Sequence, residues 1–183
     1  MIKFITGNKN KFIQVQKSLR PLEIEQLHVH LDEIQEIDPK KIIEHKVREA
    51  FKHEHGEFIV EDVSLYLECF DYKLPGPLIR WFNETLGNVG LFELTKKMGK
   101  SGAKLSVIIA YAKDENDIQY FEEEITGQIV EPKGETGFGF DPILLPDGAT
   151  KTRGEMDEVE YLKFSARNKV AQNLKNYLTK NHG

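Results

Sequence analysis

The sequence predicts an α/β fold built around a mixed β-sheet. Helix-like and strand-like hydrophobic periods alternate through the first half of the chain, and longer strand-like runs follow in the second half. The chain has 183 residues with neither an internal repeat nor a clear linker, so we expect residues 1–183 to form a single domain. With 39% hydrophobic and 30% charged residues, it has the composition of a soluble globular protein.

The first half alternates strands with helices. A short apolar, β-branched run predicts a buried strand over residues 2–6, and an amphipathic helix follows it and ends before Pro21. A second strand is expected over residues 24–29. Apolar residues then recur with the helical period from Pro39 to about His53, where the proline suits a first helical turn.

The middle of the chain predicts short elements. Two short strands, residues 58–60 and 64–69, are expected on either side of an acidic pair that ends the first of them. Residues 74–77 predict a loop. Two short helices, residues 78–84 and 91–98, flank a glycine-containing turn.

The last third predicts longer strands. Residues 104–113 and 118–130 are expected to form two strands, joined as a hairpin across a polar turn. A glycine-rich segment, residues 134–140, leads to a short strand over residues 143–145. An amphipathic helix closes the chain.

Composition excludes several classes of protein. Lysine and arginine number 25 against 30 acidic residues, and the net charge of −5 argues against a nucleic-acid coat or a binder of anionic membranes. No apolar run is long enough to span a bilayer, and the N-terminus lacks the features of a signal peptide, so we expect a cytoplasmic protein. Cys69 is the single cysteine, which excludes an internal disulfide and a Cys-rich zinc module.

Neither zinc chemistry nor covalent catalysis is indicated. No cysteine or carboxylate completes a zinc-ligand set around the six histidines. Ser64 and Ser165 have no His-Asp signature near them, and Cys69 lies in an apolar run. A covalent nucleophile is therefore not expected.

Residues 6–11 (TGNKNK) join the first strand to the first helix and have the properties of a phosphate-binding turn. A helix N-terminus presents unpaired backbone N–H groups and a partial positive charge. Gly7 allows the backbone to approach a ligand closely. Thr6 and Asn8 add hydrogen bonds, and Lys11 adds a full charge. The P-loop spacing is absent, and the same residues also fit an ordinary strand-to-helix turn with an asparagine cap.

Two acidic pairs are candidate ligands for a cation. Glu33 and Glu36 lie in an acidic loop, and Glu61 and Asp62 follow the predicted strand 58–60. Carboxylates at strand ends lie where α/β folds bind ligands, and such oxygen donors suit Mg²⁺. The alternative is a solvated acidic loop together with an acidic turn.

Two aromatic residues stand between glycines in residues 134–142 (GETGFGFDP). Phe138 or Phe140 is a candidate to stack on a flat ligand, as aromatic side chains do on nucleobases. The alternative is a hydrophobic plug over the core. The glycine order and Pro142 exclude a dinucleotide-binding fingerprint.

Taken in order, these segments resemble the inosine/xanthosine triphosphate pyrophosphatase family over nearly the whole chain. Each motif is short, but their order and spacing make chance agreement improbable. The matching motifs are TGNKNK (6–11), EIQ (33–35), VED (60–62), LPGP (74–77), GFGFDP (137–142), PDG (146–148) and GEM (154–156).

The resemblance implies a fold, an assembly and a reaction. The fold is two-lobed, with a long mixed β-sheet and a cleft between the lobes, and the assembly is a homodimer. The reaction is Mg²⁺-dependent hydrolysis of the non-standard purine nucleoside triphosphates ITP, dITP and XTP to the monophosphate and pyrophosphate. The partner is therefore a nucleoside triphosphate, not a nucleic acid or a membrane.

The resemblance also implies site residues. Glu33 and Asp62 match the metal-binding acids, and Asp62 also matches the catalytic base. The matching substrate-binding residues are Thr6, Gly7, Asn8, Lys9, Asn10, Lys11, Lys46, Arg80, Phe138, Gly139, Phe140, Asp141, Ser165 and Arg167. Among these, Phe138 would stack on the purine, Arg167 would donate to its 6-oxo group and Asp141 would accept from its ring N1–H.

Two positions depart from the family pattern. Ala166 stands where the family has a histidine between Ser165 and Arg167, and Tyr161 stands where it usually has a lysine. Both replaced groups are hydrogen-bond donors near the base. Two alternatives follow: a family relative with shifted base specificity, or a nucleotide-binding module with little catalysis.

Overall fold

The first strands and helices lie close to the positions that the sequence predicts. The computed structural model describes residues 1–28, 31 and 34–181. Its strands are β1 (Ile2–Ile5), β2 (Ile24–Leu27), β3 (Phe58–Leu67), β4 (Pro75–Gly76), β5 (Gly102–Ala112), β6 (Ile118–Ile129) and β7 (Leu144–Pro146). Its helices are α1 (Lys9–Leu19), α2 (Pro39–His53), α3 (Ile79–Met98), α4 (Glu158–Lys163) and α5 (Ala166–Asn181).

The seven strands form one mixed sheet, which confirms the predicted fold class. The strand order is β2-β1-β3-β5-β6-β7, and β4 pairs with β3 off this path. β1 runs parallel to both β2 and β3, whereas β3 and β4, and β6 and β7, are antiparallel. The register places Ile5 of β1 opposite Val60 of β3. The turn after β1 therefore lies beside the acids that follow Val60.

The chain divides into two compact units. The first contains Met1–Asp62, Val107–Glu123 and Arg167–Gly183, and the second contains Val63–Ser106 and Glu124–Ala166. β3, β5 and β6 each contribute residues to both units.

The core of the first unit lies between its strands and α2. Side chains from the apolar face of α2, among them Ile43 and Val47, pack with Phe58 and Val60 of β3 and with Ile108 of β5. The helical period of the α2 sequence fixes which residues face the sheet. Asp38 caps this helix by accepting a hydrogen bond from the backbone N–H of Lys40 at 3.0 Å.

The second unit contains the glycine-rich segment, held by backbone hydrogen bonds. The N–H of Val130 donates to the carbonyl of Ile143 at 2.9 Å, and the N–H of Lys133 donates to that of Pro142 at 2.9 Å. The N–H of Thr136 donates to the carbonyl of Gly154 at 3.0 Å. These bonds fix both ends of the segment that carries the two phenylalanines.

β3 is one continuous strand where the sequence predicts two. Because β3 runs on through Glu61 and Asp62, the expectation that these acids end a strand is wrong. Both acids are buried, and a buried carboxylate in a strand is stable only when it is paired. One partner of Glu61 is Arg167, 106 residues away. No local pattern in the sequence indicates that partner.

The helices show one confirmed break and one unexpected element. Gly87 within α3 has φ 64° and ψ −178°, so two helical segments meet there, as the glycine turn predicts. Pro75–Gly76, expected in a loop, pairs with β3 as β4. α4 was not expected, although Asp157 marks its start as an N-cap. None of the helices in the described ranges is long and apolar enough to cross a membrane.

Candidate active site

The turn between β1 and α1 is organised by its own side chains. Asn8 is the N-cap of α1, and its Oδ1 accepts hydrogen bonds from the backbone N–H groups of Asn10 at 2.9 Å and Lys11 at 3.1 Å. Thr6 Oγ1 accepts from the N–H of Asn8 at 3.1 Å. The asparagine cap is therefore present, and it orders a helix N-terminus whose residues 7–10 are exposed.

Gly7 has room for a side chain that it does not carry. A Cβ atom at this position would meet no heavy atom within 4 Å, and Gly7 is not among the glycines with positive φ. Neither packing nor backbone conformation therefore requires glycine here. The reason that remains for glycine at this position is the close approach of a ligand to the backbone.

Lys11 and Arg167 share one buried carboxylate, that of Glu61. Lys11 Nζ lies 3.1 Å from Glu61 Oε1. Arg167 donates from Nε to Oε2 at 2.7 Å and from Nη2 to Oε1 at 3.0 Å. Arg167 Nη1 also donates to Gln14 Oε1 at 2.7 Å. The cluster of Lys11, Gln14, Glu61 and Arg167, hereafter the Glu61 cluster, connects α1, β3 and α5.

The electrostatics of Glu61 follow from this pairing. The Glu61 side chain is 1% exposed, and burial alone would raise its pKa. The charges of Arg167 and Lys11 and their hydrogen bonds outweigh that effect, and they lower the pKa of Glu61 from 4.5 to about 2. Glu61 therefore carries a negative charge that two cations neutralise at physiological pH.

Asp62, the predicted base and metal ligand, is the next residue in β3. Successive strand residues point to opposite faces of a sheet, so Asp62 faces away from Glu61. It is buried, with 8% of its surface exposed. Glu33, the other predicted metal ligand, lies outside the described residues. In residues 1–28, 31 and 34–181, no group of three or more His, Cys, Asp or Glu residues is arranged to hold a metal ion.

The donor chemistry of Asp62 nevertheless fits Mg²⁺. This ion prefers one or two carboxylates and takes its remaining oxygens from substrate phosphates and water. A complete protein cage is not required.

Two further predicted substrate contacts, Lys46 and Arg80, lie on different helices. Lys46 is half-buried on α2, in the first unit. Arg80 lies in the first turn of α3, in the second unit, and its Nε donates to Glu84 Oε1 at 2.8 Å. The Arg80 side chain is 71% exposed.

The aromatic turn, residues 137–140, is shaped by two glycines and two side-chain anchors. Gly137 and Gly139 have φ values of 78° and 64°, which side chains with a Cβ rarely adopt. The N–H of Phe138 donates to Asp141 Oδ2 at 2.9 Å, and Asn88 Nδ2 donates to the carbonyl of Gly139 at 3.0 Å. Phe138 is half-buried, as is Phe140, so neither ring is fully enclosed as a core plug.

Asp141 is buried among side chains of its own unit. Its side chain is 3% exposed. Oδ2 accepts from the Tyr161 hydroxyl at 3.1 Å as well as from Phe138, and Arg153 Nε lies 2.9 Å from Oδ1. Tyr161, at the position where the family usually has lysine, is thus bonded to Asp141 within the chain.

The other departure, Ala166, is the first residue of α5 and is fully buried. Ser165 beside it is also buried. Since Ala166 has no exposed surface, a histidine there would need space that its present neighbours occupy.

The sequence names Glu61 only as a candidate cation ligand, and it does not predict the contacts that Gln14, Glu61 and Arg153 make. Glu61 and Arg167 are 106 residues apart, so no local spacing could have paired them. Arg153 lies in a turn where Thr152 and Glu155 form a capping box. The S/T-x-x-E spacing of that turn is a sequence pattern from which the capping box could have been predicted.

Known proteins resemble this chain over nearly its whole length. The sequence model of the Ham1 family matches residues 2–177. The inosine triphosphate pyrophosphatase of Pyricularia oryzae is 35% identical over 177 residues, covering 94% of this chain and 90% of the relative. The dITP/XTP pyrophosphatase of Thermococcus kodakarensis is 30% identical over 181 residues, covering 97% of each.

Solved structures share the fold. The Staphylococcus aureus Ham1 protein superimposes with a TM-score of 0.80 at 20% identity, covering 98% of this chain and 99% of that one. A HAM1 protein from Coxiella burnetii gives 0.79 at 21% identity, covering 98% and 100%. Together with the family match, these likenesses confirm the resemblance that the motifs indicate, and the chain belongs to the Ham1 family.

Proposed function

We propose that this chain hydrolyses non-standard purine nucleoside triphosphates, such as ITP, dITP and XTP, to the nucleoside monophosphate and pyrophosphate. The observation that carries the proposal is the exposed N-terminus of α1, with Lys11 held 3.1 Å from a carboxylate of β3. The names of the relatives from Pyricularia oryzae and Thermococcus kodakarensis support it. Such an activity would remove aberrant nucleotides from the nucleotide pool.

The triphosphate would bind along residues 6–11. The backbone N–H groups and partial positive charge of a helix N-terminus suit phosphate oxygens, and Lys9 and Asn10 are exposed beside them. Glu61 holds the Lys11 ammonium near this turn before substrate arrives, so little side-chain entropy is lost on binding. Lys46 and Arg80 would supply further positive charge.

Asp62 would orient the attacking water and accept its proton as the water oxygen bonds to the α-phosphorus. The bond from that phosphorus to the bridging oxygen breaks, and pyrophosphate leaves. Glu33 and Asp62 would hold Mg²⁺, which when bound neutralises phosphate charge and makes a bound water more acidic.

The base would stack on Phe138, whose ring is not fully enclosed by the chain. Inosine and xanthosine carry an acceptor at purine C6 where adenine carries a donor. A pocket that presents donors to C6 would reject adenine by about 1–3 kcal/mol, the cost of an unmade buried hydrogen bond. Arg167 could contribute at most two N–H groups, because three of its five serve Glu61 and Gln14.

A second candidate is a relative with shifted base specificity, or a nucleotide-binding module with little catalysis. The observation that favours it is that the residues at both positions departing from the family pattern are engaged in the packing of this chain itself. Tyr161 bonds to Asp141, and Ala166 is fully buried. Buried Asp62 favours the hydrolase, because an acid beside the phosphate turn has little use in a module that only binds.

A panel of substrates separates these candidates. Pyrophosphate release from ITP, dITP, XTP, GTP and ATP is measured with Mg²⁺ and again with excess EDTA. The proposal expects fastest turnover with the 6-oxo purines and loss of turnover in EDTA. Calorimetric binding of ITP without release of pyrophosphate would identify a binding module, and turnover fastest with ATP or a pyrimidine triphosphate would identify shifted specificity.

Replacing the proposed base tests the chemistry directly. Asp62→Asn removes the proton acceptor and one metal ligand, and kcat for ITP should fall by about two orders of magnitude or more. Circular dichroism and urea unfolding confirm that the variant folds. A variant with normal turnover would remove Asp62 from the mechanism.

We further propose that the protein acts on free nucleotides in the cytoplasm as a homodimer, without a nucleic-acid or membrane partner. Trp81 and Val89, both on α3, are large apolar side chains that remain more than half exposed. Light scattering should give a mass about twice that of one chain.

A further inference from the structure

The carboxylate of Asp141 contacts three groups of its own unit. Its Oδ2 accepts from the backbone N–H of Phe138 at 2.9 Å and from the Tyr161 hydroxyl at 3.1 Å. Its Oδ1 lies 2.9 Å from Arg153 Nε. With only 3% of this side chain exposed, Asp141 has little surface left for a purine to contact.

Arg153 and Tyr161 also contact each other. The Arg153 guanidinium lies over the Tyr161 ring, 4.5 Å from its centroid, and Arg153 Nη2 hydrogen-bonds to the Tyr161 hydroxyl. Each of the three side chains therefore contacts the other two. We call Asp141, Arg153 and Tyr161 the Asp141 clamp.

The backbone of the aromatic turn is built around this clamp. A Cβ atom on Gly137 would lie 2.4 Å from Asp141 Oδ2, so glycine is needed for the chain to pass this close. On the other side of Phe138, Asn88 holds the Gly139 carbonyl at 3.0 Å. The peptide group before Phe138 and the peptide group after Gly139 are thus both anchored.

Hydrogen bonds also order the turn that carries Arg153 of the clamp. Thr152 Oγ1 donates to the carbonyl of Lys133 at 2.8 Å, and the Thr152–Glu155 capping box orders the turn that carries Arg153. A Cβ atom on Gly154 would lie 2.7 Å from the same carbonyl. Arg153 is therefore presented to Asp141 by an ordered turn.

We infer that Arg153 and Tyr161 are positioning residues that hold Asp141 on the Phe138 amide and so fix the ring on which the nucleobase stacks. The inference rests on the proposed function, in which Phe138 carries the base. Asp141 then acts through the backbone of Phe138 and does not contact the base. Arg153 and Tyr161 therefore govern binding of the base half of the substrate and leave the phosphate half unaffected.

Amide hydrogen exchange of Phe138 tests the clamp without any need for turnover. In ¹⁵N-labelled protein, Arg153→Met should speed this exchange by about tenfold or more, and Tyr161→Phe by about threefold. The double variant Asp141→Asn/Arg153→Met keeps an acceptor for the Phe138 amide and buries no charge, so it should recover most of the protection. Arg48→Met, on α2, is the matched control and should change nothing.

Kinetics then test the functional consequence. Arg153→Met should raise KM for the best triphosphate about tenfold, with kcat changed less than about threefold. The inhibition constant of inorganic tripolyphosphate, which lacks a base, should stay constant. The double variant should recover KM together with Phe138 protection.

Each outcome decides a separate point. Unchanged Phe138 exchange in both Arg153→Met and Tyr161→Phe would overturn the clamp. Protection that recovers in the double variant while KM does not would assign Asp141 to direct base contact and overturn the positioning role. Should Arg153→Met not fold, Tyr161→Phe and the double variant carry the same test. A wild-type protein that hydrolyses no triphosphate would refute the proposed function, and the exchange result would still decide the clamp.

Discussion

At the scale of single residues, a substitution of Gly7 should affect ligand binding without weakening the fold. A Cβ atom there meets nothing within 4 Å, and its φ is not positive. Gly7→Ala should therefore leave the free energy of unfolding unchanged or raise it by up to about 1 kcal/mol. The added methyl group would stand between the backbone and a phosphate, so KM for ITP should rise about tenfold.

Gly99 is the opposite case, because the backbone conformation requires glycine there and no ligand does. It ends α3 with φ 66° and ψ 20°, and a Cβ atom there also meets nothing within 4 Å. Gly99→Ala should cost about 1 kcal/mol of stability through backbone strain and leave KM unchanged. Urea unfolding and initial rates on both variants give the comparison. A Gly7→Ala protein with wild-type KM would argue that no phosphate approaches that backbone.

At the scale of the helices, the Asn8 side chain at the start of α1 has two roles. Asn8 caps the helix by accepting from Asn10 and Lys11, and it lies in the proposed phosphate turn. Asn8→Asp keeps a good cap, because aspartate and asparagine cap about equally well, but it places a negative charge beside the triphosphate. Stability should stay within about 0.5 kcal/mol of wild type. KM for ITP should rise by an order of magnitude or more, and the rise should shrink at high salt.

Asp38 at the N-terminus of α2 is the matched cap outside the site. Asp38→Asn should change neither stability nor KM by a measurable amount, because the amide oxygen still accepts from Lys40. Initial rates at low and high ionic strength, with urea unfolding on both variants, provide the measurement. Equal KM values for Asn8→Asp and wild type would contradict the placement of phosphate at the α1 N-terminus.

The same elements show how far local sequence predicts this site. Residues 6–11 and the aromatic turn were predictable, because glycine, proline and capping residues act on neighbours a few positions away. β3 was predicted as two strands, because the burial of Glu61 depends on Arg167, 106 residues away. The Asp141 clamp was not predicted for a similar reason, since Tyr161 lies 20 residues from Asp141.

Across the whole molecule, each compact unit supplies one part of the proposed chemistry. The first contains the turn at 6–11, Asp62 and the Glu61 cluster, all suited to a polyphosphate and its cations. The second contains the aromatic turn and the Asp141 clamp, both suited to a flat base. Variants of Lys11 and Glu61 should consequently affect stability and phosphate binding together, whereas variants of the clamp should affect binding of the base alone.

The Glu61 cluster also contributes to the pH dependence of the stability of the protein. The pKa of Glu61 is about 2 in the folded chain against an ordinary value of 4.5, so the unfolded chain binds its proton more tightly. The stability that the carboxylate contributes is therefore complete above about pH 4.5 and is lost as the pH falls towards 2. A shift of this size corresponds to about 3 kcal/mol.

Glu61→Gln should accordingly destabilise the protein by about 3 kcal/mol at pH 7 and converge with wild type near pH 2. Urea unfolding between pH 7 and pH 2 measures this difference. Glu93→Gln is the control, because Glu93 is 58% exposed and its ion pair with Lys96, at 3.7 Å, contributes little in solvent. If the difference between Glu61→Gln and wild type stayed constant down to pH 2, the charge of Glu61 could not be what ties α1 and α5 to β3. A difference independent of pH would instead come from a hydrogen-bond acceptor that glutamine lacks, because its amide nitrogen replaces one of the two acceptor oxygens.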